Sequence, residues 1–157
     1  MINEKSDSSD FNVLPDHDKI VNVNRNHVIL RFFKFTFSPD IITNEMRLQP
    51  FQSGVKGEMY LPKGLKVEKM HESNNWSYEL KTNSNEFIGD LVAKFIVEII
   101  EPRVDLIKRF ENCNVELSIV QYYYNGCNPG VYIEPHHNKI LAEINSSINI
   151  DIYCLTE

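Results

Sequence analysis

The chain has 157 residues, 42% of them hydrophobic, and its 22 acidic against 16 basic side chains give a formal net charge of −6. This length and apolar content predict one domain with a core that needs neither a disulfide nor a metal. The acidic balance argues against a nucleic-acid partner, since such proteins usually present a net basic face.

The first part of the chain is polar and then becomes strongly apolar. Residues 1–26 are rich in Asn, Asp and Ser, and we predict a weakly ordered N-terminal segment there, followed by a single α+β domain over 27–157. The stretch 27–37 has apolar residues on both faces, with Phe35 on the same side as Ile29, and predicts a central strand.

A short helix from Pro39 to Met46 follows this strand directly. Ser38 supplies a capping hydroxyl, Pro39 suits the first helical position and Asp40 suits the positive helix end. Two extended segments then flank the turn Pro62-Lys63-Gly64, where glycine permits a positive φ.

The middle of the chain predicts one further strand and a helical pair. The strand covers 76–81, and Asn83 with Glu86 three residues later resembles a capping box. Apolar residues at helical spacing over 88–99 predict a helix that Pro102 stops or kinks, and a second helical piece follows.

The last third predicts strand, helix and strand. Residues 115–124 alternate as a long strand, and 131–133 are compatible with a short paired strand. Glu134-Pro135 opens a helix, and 147–155 form the final strand. We expect one side of this strand to be dry, with Cys154 as a small buried hydrophobe, while Asp151 and Tyr153 share its polar side. The dry side comprises Ile148, Ile150, Ile152 and Cys154.

These elements predict an α+β fold. We expect a mostly antiparallel sheet of five to six strands with helices mainly on one face, in a ferredoxin-like or related topology. No apolar run approaches the ~18 residues that a membrane helix needs, and the first ten residues do not have the pattern of a targeting signal. Three scattered cysteines, Cys113, Cys127 and Cys154, are typical of reduced thiols, so we predict a cytoplasmic location without membrane contact.

The order of short motifs resembles the bacterial domain of unknown function 4279 family. The motifs are Ser-Pro-Asp-Ile-Ile-Thr43, Lys56-Gly-Glu58, Asn75-Trp76-Ser77 and Ile150-Asp-Ile-Tyr153, and the similarity runs from about His27 to Leu155. The resemblance implies a small bacterial cytoplasmic domain, with members sometimes noted near toxin–immunity loci. It implies no catalytic residue.

The candidate site residues do not form a known catalytic or metal-binding motif. Adjacent His136 and His137 do not have the one-turn spacing of a helical zinc pair, so His137 is interpreted as a core-edge residue and no metal site or cofactor is predicted. Asp151 beside Tyr153 suits acid–base chemistry only if Asp151 is desolvated, and otherwise suits hydrogen bonding. The candidate binding residues are Asp151, Tyr153, Trp76, Lys56, Glu58, Tyr122 and Tyr124, and no catalytic residue is assigned.

We therefore predict a non-enzymatic binding protein, most concretely an immunity-type protein that neutralises a toxin partner. An acidic inhibitor is steered electrostatically onto a basic enzyme. One alternative is a small metal-assisted hydrolase that uses Asp151, His136 and Glu134. Another is a homodimeric structural module that pairs through an exposed strand edge.

Overall fold

The structure is a computed structural model that describes residues 24–62, 64–80, 86–124 and 130–155. The predicted N-terminal segment therefore lies outside the described residues except for its last three positions, and so do Asn83 and Cys127. The strands are β1 (Arg25–Phe35), β2 (Gln52–Gly54), β3 (Met59–Tyr60), β4 (Lys69–Met70), β5 (Asn74–Glu79), β6 (Asn114–Tyr124) and β7 (Ser146–Leu155). The helices are α1 (Pro39–Met46), α2 (Ile88–Phe95), α3 (Val104–Ile107) and α4 (Pro135–Glu143).

Five strands form one sheet in the order β2-β5-β1-β6-β7, and β3 pairs with β4 separately. The pairs among β2, β5, β1 and β6 are antiparallel, and β6–β7 is parallel. The strands β2, β5, β1 and β6, with the helical connections that follow β1 and β5, have the split β-α-β arrangement of the ferredoxin-like fold. Helix α4 then makes the crossover that a parallel neighbour requires. The predicted α+β class with a mostly antiparallel sheet is confirmed.

The core lies between one face of the sheet and the helices. Val28, Leu30 and Phe32 of β1 belong to the buried cluster. Trp76 is 0% exposed, its ring meets Phe32 edge to face at 5.5 Å, and its Nε1 donates to Thr43 Oγ1 at 2.9 Å. Each described α-helix adds side chains to this cluster, among them Ile42, Leu91, Ile107 and Ile140. The helices therefore cover the same face of the sheet, which we call the core face.

A bulge in β1 changes which face one phenylalanine occupies. Lys34 has φ 61°, and the pairing with β5 shifts between Phe33 and Phe35. The extra residue turns Phe35 into the core, where it is 3% exposed. The prediction that Phe35 shares a face with Ile29 is therefore wrong, because strict alternation does not continue through a bulge.

Arg103, which follows α2 in the chain, links two helical segments through hydrogen bonds to their backbone carbonyls. The chain continues from α2 through a π-helical turn, Ile96–Ile100, and a 3₁₀ turn, Glu101–Arg103. The guanidinium of Arg103 donates to the carbonyl oxygens of Met46 at 3.0 Å, Ile99 at 2.9 Å and Glu98 at 3.3 Å. These bonds satisfy helix-end carbonyls and join the C-terminus of α1 to the turn after α2.

The final strand is present and belongs to the same sheet as β1, but its predicted dry side is wrong. Ile148, Ile150 and Ile152 are 39%, 43% and 41% exposed, and Cys154 is exposed. They lie on the core face, but β7 is the last strand of the sheet and the helices cover the middle of that face better than its margin. Residues 131–133 form no strand, so that prediction is also wrong.

Candidate functional site

The opposite face of the sheet carries the residues that alternate with the core. Arg31 of β1 pairs with Ser77 of β5 and Glu116 of β6, and Val120 of β6 pairs with Asp151 of β7. Paired residues point to the same side of a sheet, so the four strands build one continuous surface. We call it the polar face; it comprises Arg25, His27, Ile29, Arg31, Phe33, Asn75, Ser77, Glu79, Asn114, Glu116, Ser118, Val120, Tyr122, Tyr124, Ser147, Asn149, Asp151, Tyr153 and Leu155.

Two cross-strand side-chain pairs, one Arg–Glu ion pair and one His–Glu contact, bracket the centre of the polar face. Arg31 Nη1 donates to Glu116 Oε1 at 3.0 Å across β1 and β6. His27 Nδ1 contacts Glu79 Oε1 across β1 and β5. Because these side chains are partly solvated, each pair contributes only ~0–1 kcal/mol to stability. Their main effect is to fix the positions of charged groups on a rigid surface.

A stacked tyrosine pair occupies the β6–β7 side of this face. The rings of Tyr122 and Tyr153 are 4.9 Å apart with an interplanar angle of 13°. The guanidinium of Arg25 lies 5.1 Å from the centre of the Tyr122 ring, and the His27 ring meets that tyrosine edge-on at 6.1 Å. Stacking and cation–π contact hold both rings in one orientation.

Small and apolar residues lie buried between these groups. Ile29, Ser118 and Val120 are almost fully buried on the polar face, and they do not belong to the core cluster. The hydroxyl Oγ of Ser118 is buried and has no hydrogen-bond partner. On the β7 side, Asn149 Nδ2 donates to Asp151 Oδ2 at 3.3 Å, which orients that carboxylate on the surface.

The structure places four of the candidate binding residues on one face of the sheet and separates the others. Tyr122, Tyr124, Tyr153 and Asp151 all lie on the polar face. Trp76 is enclosed in the core and has no surface through which to contact a partner. Tyr124 is buried although it lies on the polar face, so its side chain offers little surface for the predicted binding role.

The remaining pair of candidates lies at the opposite edge of the sheet. Lys56 and Glu58 are exposed on a turn between β2 and β3, where Gly57 has φ 89°. The backbone N–H of Lys56 donates to Asn74 Oδ1 at 2.8 Å, which anchors the turn to β5. Strand β2 and strand β7 are the two ends of the sheet order, so this turn does not join the tyrosine pair.

The residues proposed for a metal-assisted hydrolase do not converge. His136 Nε2 lies 3.4 Å from Glu101 Oε1 on the helical side, whereas Asp151 lies on the polar face. Within the described ranges, no group of three His, Cys, Asp or Glu side chains is arranged to hold a metal ion. His137 is buried, which confirms the interpretation of this residue as part of the core edge.

The basic residues that β1 contributes to the polar face were not identified from the sequence. Arg25, His27 and Arg31 occupy alternate positions of β1, interleaved with core residues, and Glu79 and Glu116 face two of them. The alternation of charged and apolar residues from position 25 was the available signal. It was obscured because Ile29 and Phe33 make the same side of β1 look apolar in the sequence.

In the described part of the chain, no helix is both long enough and apolar enough to cross a bilayer.

Comparison with known proteins identifies the chain by family alone. No curated protein and no solved structure matches the chain. A family model described as "Domain of unknown function (DUF4279)" matches residues 24–155, which span every strand of both sheets. The chain therefore belongs to the DUF4279 family.

Proposed function

We propose that the chain is a non-enzymatic binding protein that recognises a protein partner through the polar face. The observation that carries the proposal is the Tyr122–Tyr153 stack with Arg25 against it. Tyrosine and arginine are enriched at the energetic centres of protein interfaces, because they combine a large apolar surface with hydrogen-bonding tips. Here they stand on paired strands, so ordering them on binding costs little conformational entropy.

The charge pattern supports one kind of partner, a basic protein. The polar face carries Arg25 and Arg31 as well as Glu79, Glu116 and Asp151, and the whole chain has a net charge of −6. The overall acidity favours encounter with a basic protein, while the mixed charges fix its orientation after contact. We propose that this partner is a toxin, and that the chain neutralises it in a bacterial cytoplasm as an immunity protein does.

The metal-assisted hydrolase is the weaker candidate. Its three residues, Asp151, His136 and Glu134, would have to act on one substrate, and the sheet lies between Asp151 and the α4 side that carries the other two. Elemental analysis of the purified chain separates the two functions, since a stoichiometric transition metal would favour the hydrolase.

The test is binding to the product of the adjacent gene. The full chain is expressed with that product, and the affinity is measured by calorimetry for the natural chain and for Tyr153→Ala. Loss of a central aromatic contact costs ~2 kcal/mol or more, which is at least about 30-fold in Kd. Rescue of cells from the partner's toxicity should weaken in parallel.

Tyr132→Ala is the matched control. Tyr132 is 70% exposed and precedes α4, outside the polar face, so its removal should leave affinity unchanged. Absence of binding by the natural chain, together with no rescue, would contradict the proposal. Equal losses in Tyr153→Ala and Tyr132→Ala would contradict the assignment to the polar face.

A further inference from the structure

The outer edge of β7 is an unusual end for a sheet. The strand has ten residues, and all ten pair with β6 without a register shift. Among the described residues, no strand pairs with its other side. Proteins usually protect such an edge with short length, bulges, prolines or several charges. Strand β7 is long and regular, and Asp151 is its single charged residue.

The exposed isoleucines lie along this same edge. Ile148, Ile150 and Ile152 alternate along the core-face side of β7 and are each about two-fifths exposed. Three branched aliphatic side chains in a row form a continuous apolar stripe, which is a common mark of an association surface. An open backbone edge and an apolar stripe in one strand fit the addition of another strand.

We propose that a second copy of this chain is the occupant, and that two β7 strands pair antiparallel about a two-fold axis at Ile150. This register places Ile150 against its own copy, Ile148 against the partner's Ile152, and Asn149 against the partner's Asp151. The two five-stranded sheets become one continuous sheet. This inference goes beyond the proposed function and does not depend on it.

The sequence of β7 selects this register over its neighbours. A shift of the axis to Asp151 would set two like charges directly opposite each other, which is destabilising. A shift to Asn149 would pair Ile152 with the partner's Ser146, and the stripe would lose one of its aliphatic contacts. Only the axis at Ile150 matches isoleucine with isoleucine along the whole stripe and sets an amide donor against a carboxylate acceptor on the other side.

The symmetry also keeps both faces of the sheet continuous. In antiparallel pairs, opposite residues share a side, so isoleucine against isoleucine joins core face to core face. The isoleucine stripe then lies between α4 and its copy, because α4 packs beside β7. The two polar faces become neighbours, which presents two Tyr122–Tyr153 pairs on one surface.

The first test is the mass of the full chain in solution. Sedimentation should give twice the 18.3 kDa chain mass, and Ile150→Lys should weaken the dimer by about 100-fold or more, since it sets two lysines together and removes a central aliphatic contact. Ile41→Lys is the matched control, because Ile41 is 44% exposed on α1 and lies far from β7 in the chain. A monomeric natural chain, or a dimer unaffected by Ile150→Lys, would overturn the proposal.

The second test reads the register. In a chain with Cys127→Ser and Cys154→Ser, Ile150→Cys should form a disulfide between copies on mild oxidation, because the two positions 150 oppose each other. Ile148→Cys should not, since the two positions 148 would be ~13 Å apart along the strands, beyond the reach of a disulfide. Equal cross-linking of both variants, or cross-linking only of Ile148→Cys, would overturn the register.

Discussion

The two faces of the five-stranded sheet are made by the same strands and do different work. One step along β1 separates Phe32, which is completely buried against Trp76, from Arg31, which pairs with Glu116 in partial contact with solvent. On the core face, each side chain contributes through the apolar surface it removes from water. On the polar face, the partly solvated charged pairs fix orientations and add little free energy, and the apolar contribution comes from a few buried residues such as Ile29. Stability is therefore concentrated on the core face, whereas the polar face is the side that we propose for recognition.

The strongest test of this division is Trp76→Ala. We expect the free energy of unfolding to fall by ~3–5 kcal/mol, because the substitution leaves a cavity beside Phe32 and leaves the Thr43 hydroxyl without its indole donor. Urea denaturation followed by far-UV circular dichroism measures the change. A loss under 1 kcal/mol would contradict the difference between the two faces, because packing on the core face would then contribute little to the free energy of unfolding.

Arg103→Met tests whether the helical layer above the core face depends on polar anchoring. The carbonyls of Met46 and Ile99 would lose a charged donor, so we expect a loss of ~1–3 kcal/mol in the free energy of unfolding. Arg109→Met is the matched control. Arg109 contacts Glu45 at 3.8 Å on the surface, and its replacement should cost no more than ~1 kcal/mol. Equal effects in both variants would contradict the anchoring role.

A double-mutant cycle on the polar face measures how much one of its ion pairs contributes to the free energy of unfolding. We expect Arg31→Met and Glu116→Gln to show a coupling of ~0.2–1 kcal/mol in urea denaturation, shrinking as salt is added. A coupling of several kcal/mol that resists salt would mean that ion pairing on the polar face contributes to the free energy of unfolding about as much as core packing does.

The smallest effect that we expect near neutral pH is a difference in reactivity between the thiols of Cys113 and Cys154. Burial, partly offset by a hydrogen bond from the Phe33 backbone, raises the pKa of the Cys113 thiol from 9.0 to about 12. Cys154 is exposed. We therefore expect a thiol reagent at pH 8 to modify Cys154 well before Cys113 in the folded chain.

The same pKa gives a sign for the pH dependence of stability. Above pH 9 the unfolded chain releases the Cys113 proton while the folded chain retains it until about pH 12, so unfolding becomes more favourable as pH rises through this range. Cys113→Ser should flatten that part of the stability curve. An unchanged curve would contradict the raised pKa.

Local signals in the sequence were sufficient for most of the elements, although not for 131–133, and for much of the topology. The start of α1 follows from Ser38, whose hydroxyl accepts from the Asp40 N–H at 3.3 Å, and from Pro39 in the first turn. The bulge at Lys34 has no such signal, because neither glycine nor proline marks it. It is fixed by packing on the core face, which places Phe35 among other buried rings.

The candidate site was only half predictable. Alternation in β7 placed Asp151 beside Tyr153, but the stack with Tyr122 depends on the parallel register of β6 and β7, which is a tertiary property. Alternation also identifies a side of a strand without telling whether anything covers it. Ile148 and Ile150 were therefore predicted to be dry, whereas their position in the last strand leaves them half uncovered.

The shortness of β2 has a consequence for how far copies of the chain can assemble. This strand offers three residues at the other end of the sheet, and a Cβ at Gly54 would lie 2.3 Å from Nε2 of the His71 ring, which itself stacks on Tyr60. So small an edge, beside that ring stack, is a poor template for an incoming strand. The proposed pairing through β7 would therefore close on itself after two chains and would not propagate into filaments.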